Sequence, residues 1–147
     1  MSFVKKRGQL DISFGMIFSI ILIIIFLAFG FYGIKKFMDL QGSVQVEKFL
    51  DDFKNDVEKV YNSPGGDSPY IKSYSLPTKV IAVCFQDDEF ENLKFTSKNI
   101  IRGKMIENID ISKTIGNQDS LCIPNVKGKV SLKIAKDYEE TLVTITK

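Results

Sequence analysis

The chain predicts an α+β protein in which a long N-terminal transmembrane helix continues into an amphipathic helix packed on a small, mainly antiparallel β-sheet head. Three patterns carry that expectation. A run of 23 uncharged residues, ISFGMIFSIILIIIFLAFGFYGI, separates Asp11 from Lys35. An apolar stripe at three- and four-residue spacing follows from Val46 to Tyr61, and beyond Pro69 the pattern changes to short apolar runs and strict alternation. The expected segments are a basic leader (1–8), the transmembrane helix (9–36), the amphipathic helix (37–62), a linker (63–69) and a β-rich extracytoplasmic head (70–147).

As a helix the apolar run spans about 35 Å, slightly more than a bilayer's hydrocarbon core. It exceeds the centre of a secretory signal peptide and ends on Lys35 and Lys36 instead of a small-residue cleavage site, so it reads as a retained single-pass anchor in the lipid bilayer. Lys5, Lys6 and Arg7 on one flank outweigh Lys35 and Lys36, with Asp39 nearby, on the other. The basic bias places the N-terminus in the cytoplasm and the head outside. Gly15 and Ser19, four residues apart, lie on one helical face where a second membrane helix could approach, although small residues are also simply common in such helices.

With 20 basic and 18 acidic residues the net charge is +2, and the basic clusters flank the apolar run. Nothing in that balance points to a nucleic-acid partner. Histidine is absent and there are two cysteines, which removes imidazole bases and four-cysteine zinc sites. No catalytic, cofactor-binding or metal-ligating residues are singled out, no cofactor is expected, and the chain reads as a non-enzyme. The acidic stretch Asp87-Asp88-Glu89 with Glu91 lacks the spacing of a calcium loop and reads as a solvated turn.

In the amphipathic helix Val46, Phe49, Leu50, Phe53, Val57, Val60 and Tyr61 form the apolar stripe, and Glu47, Lys48, Asp51, Asp52, Lys54 and Asp56 are assigned to the polar side. Gly42 and Ser43 could bend the helix; no proline intervenes before Pro64, so a continuous helix from about Leu10 to Tyr61 is expected. The sequence Asn62-Ser63-Pro64-Gly65-Gly66 stops it. Strands are expected over Ile71 to Leu76 and Lys79 to Phe85, the latter apolar enough to be central in a sheet. A C-terminal hairpin pairs the Val130, Leu132, Ile134 alternation with Thr141, Val143, Ile145 around Lys136-Asp137. Between Phe90 and Gln118 the periodicity is mixed: Phe95, Ile100, Ile101, Met105, Ile106, Ile109, Ile111 and Ile115 are core candidates, on short strands or a short helix. Cys84 and Cys122 allow one intramolecular disulfide, closing 39 residues, or remain buried thiols if the head faces the cytoplasm.

The N-terminal MSFVKKRGQLDISF, a basic stretch, a Gly-Gln pair and a lone carboxylate abutting the apolar run, resembles the class III signal sequence of archaeal type IV pilin-like proteins. The resemblance covers residues 1–36. It implies that a prepilin peptidase cuts between Gly8 and Gln9, that 1–8 is a cleaved leader, and that the product self-associates with pilin-like subunits into a type IV pilus-like cell-surface filament. The family's glutamate at the fifth mature position is here Ser13, and the nearest acid is Asp11 at the third. Asp11 either lies at the membrane surface or meets a cation such as a free amino terminus. The competing expectation is an uncleaved single-pass protein that presents a small extracytoplasmic binding domain.

Overall fold

The computed structural model describes residues 14–66, 68–97 and 103–147. Gly8, Gln9, Asp11 and Ser13, and the core candidates Ile100 and Ile101, lie outside the described residues. Two compact units divide between Asp39 and Leu40. One α-helix, α1 (Phe14–Tyr61, 48 residues), contributes to both. Helical structure runs through Gly42 and Ser43, in keeping with the absence of proline there.

In the first unit α1 buries nothing: an 18-residue window of mean hydropathy 2.8 is entirely unburied. In the second, Val46, Phe49, Leu50, Phe53 and Val57 are buried, with Val60 and Tyr61 partly so, as the stripe predicts. Asp56 departs from the expected polar face and is only 8% exposed. The helix stops where Pro64 forbids another turn, and Lys136 satisfies its open end, donating to the Tyr61 carbonyl at 2.6 Å and the Ser63 carbonyl at 3.1 Å. A cation there also complements the helix dipole.

The head carries six strands: β1 (Tyr70–Ser75), β2 (Val80–Gln86), β3 (Leu93–Ser97), β4 (Ser120–Pro124), β5 (Lys129–Ala135) and β6 (Thr144–Thr146), with a short helix α2 (Ile111–Ile115) before β4. They form two three-stranded antiparallel sheets, ordered β1-β5-β6 and β3-β2-β4. β2 is central, as its unbroken apolar character requires. Pro77 marks the point where the chain leaves one sheet for the other.

The two sheets and α1 share one core. Phe49 stacks on Phe53 at 5.8 Å and meets Tyr74 edge-on at 5.4 Å, while Phe53 reaches Phe85 at 5.8 Å. Val130, Leu132, Ile134 and Ile145 are fully buried in the same cluster, from the alternating positions of β5 and β6.

Two local details depart from expectation, the C-terminal connection and Met105, and a third fills in what the sequence leaves open. The C-terminal pairing exists, with Ile134 opposite Ile145, but the connection is longer than a tight turn at Lys136-Asp137. Lys136 is taken up capping α1, its carbonyl accepts from Gly66 N–H at 2.8 Å, and Val143 exchanges bonds with Asn108 and Asp110 before β6 begins. The uncertain middle segment contains both a strand and a helix: β3 carries Leu93 and Phe95, and α2 is capped by Asp110, whose carboxylate accepts from Lys113 N–H at 2.9 Å. Met105, a core candidate, is 41% exposed. Its neighbour Ile106 is buried because Asn92 holds that backbone like a strand partner, accepting from Ile106 N–H at 2.8 Å and donating to its carbonyl at 2.7 Å.

Candidate functional site

Apolar side chains without interior partners define the first functional surface. Phe26, Phe29 and Phe31 are each more than 70% exposed, and the exposed apolar run extends from Phe14 to Val44. In water so large a surface would drive association, whereas a bilayer satisfies it and leaves every helical backbone bond intact. Ser19 donates its hydroxyl to the Gly15 carbonyl at 2.8 Å. The polar atom of the small-residue pair is therefore served within its own helix.

In the head, the least expected constellation lies where α1 meets β1. Asp56 Oδ2 accepts from Lys72 Nζ and from the Tyr74 hydroxyl, both at 2.7 Å. The packing of β1 on the apolar stripe brings these groups together: Tyr74 points inward among the phenylalanines, and Lys72 lies on the same side two residues earlier. Burial, and then donation to the Asp56 carboxylate, push the Tyr74 phenol far above the usual tyrosine range. The hydrogen bond to Asp56 raises the Lys72 ammonium. Such a tyrosine keeps its proton and a lysine so paired keeps its charge, so the trio is a satisfied polar network, buried at Asp56 and Tyr74 and open to solvent at Lys72. A cleft of about 310 Å³ opens beside it, lined by Gln45, Lys48 and Asp52 of α1 and by Ser73 and Ser75 of β1.

Cys84 and Cys122 face each other across β2 and β4 and are joined in a disulfide. This pairing was one of the two sequence expectations. Cys84 is buried and Cys122 exposed, and they alternate along their strands with the core residues Val83, Phe85 and Ile123, so the bridge lies on the outer face of its sheet.

The acidic segment 87–91 is organised around Asp88. Its Oδ1 accepts the backbone N–H groups of Phe90 at 3.0 Å and Glu91 at 3.3 Å, while its Oδ2 accepts from Lys94 Nζ at 2.7 Å and Gln86 Nε2 at 3.3 Å. The Lys94 bond, helped by those backbone donors, holds the Asp88 carboxyl at about 2. The turn thus uses this carboxylate internally. Among the described residues no group of three His, Cys, Asp or Glu side chains is placed to hold a metal ion.

The sequence reading missed Asp56, Lys72 and Tyr74. A signal for Asp56 existed: it lies seven residues after Phe49 and three after Phe53, on the apolar stripe itself. Comparison with family models, with curated proteins and with solved structures finds no match to this chain. The chain's functional parts are two: a helix able to cross a membrane and a small disulfide-linked α+β domain.

Proposed function

We propose that this chain is a non-enzymatic single-pass membrane protein that presents its α+β head outside the cytoplasm, where the head binds another component of the cell envelope. The single observation that carries the reading is the wholly unburied apolar first part of α1, followed on the same chain by a folded domain containing the Cys84–Cys122 bridge. A structural disulfide suits an oxidising compartment, and the basic residues Lys5, Lys6 and Arg7 favour a cytoplasmic N-terminus. Both arguments point to the same orientation.

A second, narrower reading is favoured by Lys6-Arg7-Gly8-Gln9 abutting the apolar run. On this reading a prepilin peptidase removes residues 1–8, Gln9 becomes the amino terminus, and the chain is a structural subunit of a pilin-like filament or related envelope assembly. Asp11 would then have a cation to meet, the free amino terminus of a subunit, which offsets the cost of a carboxylate near hydrocarbon.

Intact mass and N-terminal sequence of the protein extracted from its native membranes test both readings. Recovery in the membrane fraction, with the cysteines protected from alkylation until reductant is added, is expected for the anchored extracytoplasmic protein. Recovery in the soluble fraction, or free thiols on both cysteines, removes that reading. A chain beginning at Gln9, and loss of that species in Gly8→Phe, is expected for the pilin-like subunit; a chain beginning at Met1 or Ser2 sinks it and leaves the plain anchored domain.

A further inference from the structure

We propose that the tip between β4 and β5 is a lipid-contacting surface, which lays Val126 and Ile81 on the bilayer and holds them there through the attraction of Lys127 and Lys129 for anionic headgroups. The inference rests on the reading of this chain as membrane-anchored. It adds a second point of membrane attachment, made by the folded head itself.

The tip is rigid. Val126 and Lys129 exchange backbone hydrogen bonds of 2.9 and 3.1 Å, and the two residues between them, Lys127 and Gly128, have φ values of 54° and 82°. Positive φ at both positions makes a two-residue primed turn, which points its side chains in fixed directions. The Gly128 carbonyl accepts from Leu76 N–H at 2.9 Å, Asn125 Nδ2 donates to the carbonyls of Pro77 at 3.0 Å and Val80 at 2.8 Å, and Asn125 N–H donates to the Ile81 carbonyl at 2.8 Å. Segments 76–81 and 125–129 are therefore held together.

Its place follows from chain connectivity. Pro77 Cγ lies 4.0 Å from where a Cβ on Gly42 would be, and Gly42 is six residues beyond Lys36, the last basic residue flanking the apolar run. Six residues span about 9 Å as a helix and at most about 20 Å fully extended. The tether alone keeps Gly42, and Pro77 beside it, within that reach of Lys36.

Its chemistry matches that neighbourhood. Val126 is 62% and Ile81 53% exposed, and Lys127 and Lys129 are exposed with no ion-pair partner among the described residues. Exposed apolar side chains beside lysines are what an anionic interface recognises, and the attraction acts within about 10 Å of the surface. The opposite end of β2 has the reverse character: Asp87 and Glu89 are exposed there around Phe90. An anionic surface would repel that end.

The test uses the full chain in vesicles of phosphatidylcholine with or without phosphatidylglycerol, together with lipid carrying a headgroup nitroxide. The chain has no tryptophan, so Val126→Trp and Phe90→Trp each introduce one fluorescent reporter, at opposite ends of β2. Quenching of the Val126→Trp protein is expected to be several-fold stronger with phosphatidylglycerol present. Adding Lys127→Gln and Lys129→Gln, or high salt, should abolish that gain, and Phe90→Trp should show none. Equal quenching of the two reporters, or quenching indifferent to lipid charge, overturns the proposal. So does quenching that tracks protein-to-lipid ratio, which would mean that a second copy covers the patch. Failure of the chain to float with vesicles would remove the anchored reading as well, whereas normal flotation with an unquenched Val126→Trp reporter removes this inference alone.

Discussion

The Tyr74 hydroxyl donates to Asp56 Oδ2 at 2.7 Å, linking the buried face of α1 to a strand 18 residues further along the chain. Asp56→Ala would strand that hydroxyl among phenylalanines and release the Lys72 ammonium. A loss of about 2–3 kcal/mol is expected, measured by denaturant unfolding of the detergent-solubilised protein. Asp56→Asn, which keeps an acceptor, should lose less. The pH dependence has a definite sign: folded Tyr74 and Lys72 hold protons that the unfolded chain releases near their ordinary values, so stability is fully present at lower pH and falls above about pH 10. Tyr74→Phe should flatten that alkaline decline.

Phe53 is fully buried and touches Phe49, Tyr74 and Phe85, so it joins the helix to both sheets. Phe53→Ala is expected to cost about 3–5 kcal/mol, since these rings belong to different elements and cannot collapse together into the space. Thermal unfolding of the solubilised chain checks this, with Lys54→Ala on the exposed side of the helix expected to change little.

Removal of the disulfide in Cys84→Ala/Cys122→Ala should lower stability by about 2–4 kcal/mol, because the bridge closes a long loop with a sequence separation of 38. The register of β2 against β4 continues on both sides of the bridge through Val83 opposite Ile123 and Phe85 opposite Leu121. The expected result is therefore a less stable domain with unchanged secondary structure, and a melting temperature of the parent protein that falls to the variant's value in reductant.

Asp88 should titrate at about 2, below an ordinary carboxyl, when followed by carbon-detected NMR. Its bonds to Lys94 and to the turn amides favour the charged form, so they strengthen the turn above the ordinary carboxyl value of about 4 and are lost as pH falls toward about 2. Lys94→Gln should move the titration back toward the ordinary value, with Asp88→Ala loosening residues 86–94 as read by amide exchange.

Elements governed by local periodicity were legible in the sequence. The spacing of Phe49, Phe53 and Val57 names the buried face of α1, and Val130, Leu132 and Ile134 name that of β5. The elements that escaped depend on groups distant in sequence. Leu93–Ser97 is too short for periodicity to distinguish, and it is a strand because β2 pairs with it. Ile106 is buried next to exposed Met105 through the side chain of Asn92, a bond no pattern announces. Asp56 looked like surface because its neutralising partners lie on β1. Separation of the strands into two sheets was likewise hidden, since β1 finds its partner in β5, on the far side of the other sheet in chain order.

Because Val46 to Val57 supply one wall of the head's core from within α1, the anchor and the domain are not interchangeable parts. A protease cutting in the glycine-rich stretch after Tyr61 would release six strands stripped of their central helix, whereas a cut between Lys36 and Leu40 would shed an intact domain. Shedding, exchange of the head onto another anchor, or recombination between related chains can therefore preserve folding only at a seam a few residues long, immediately after the apolar segment.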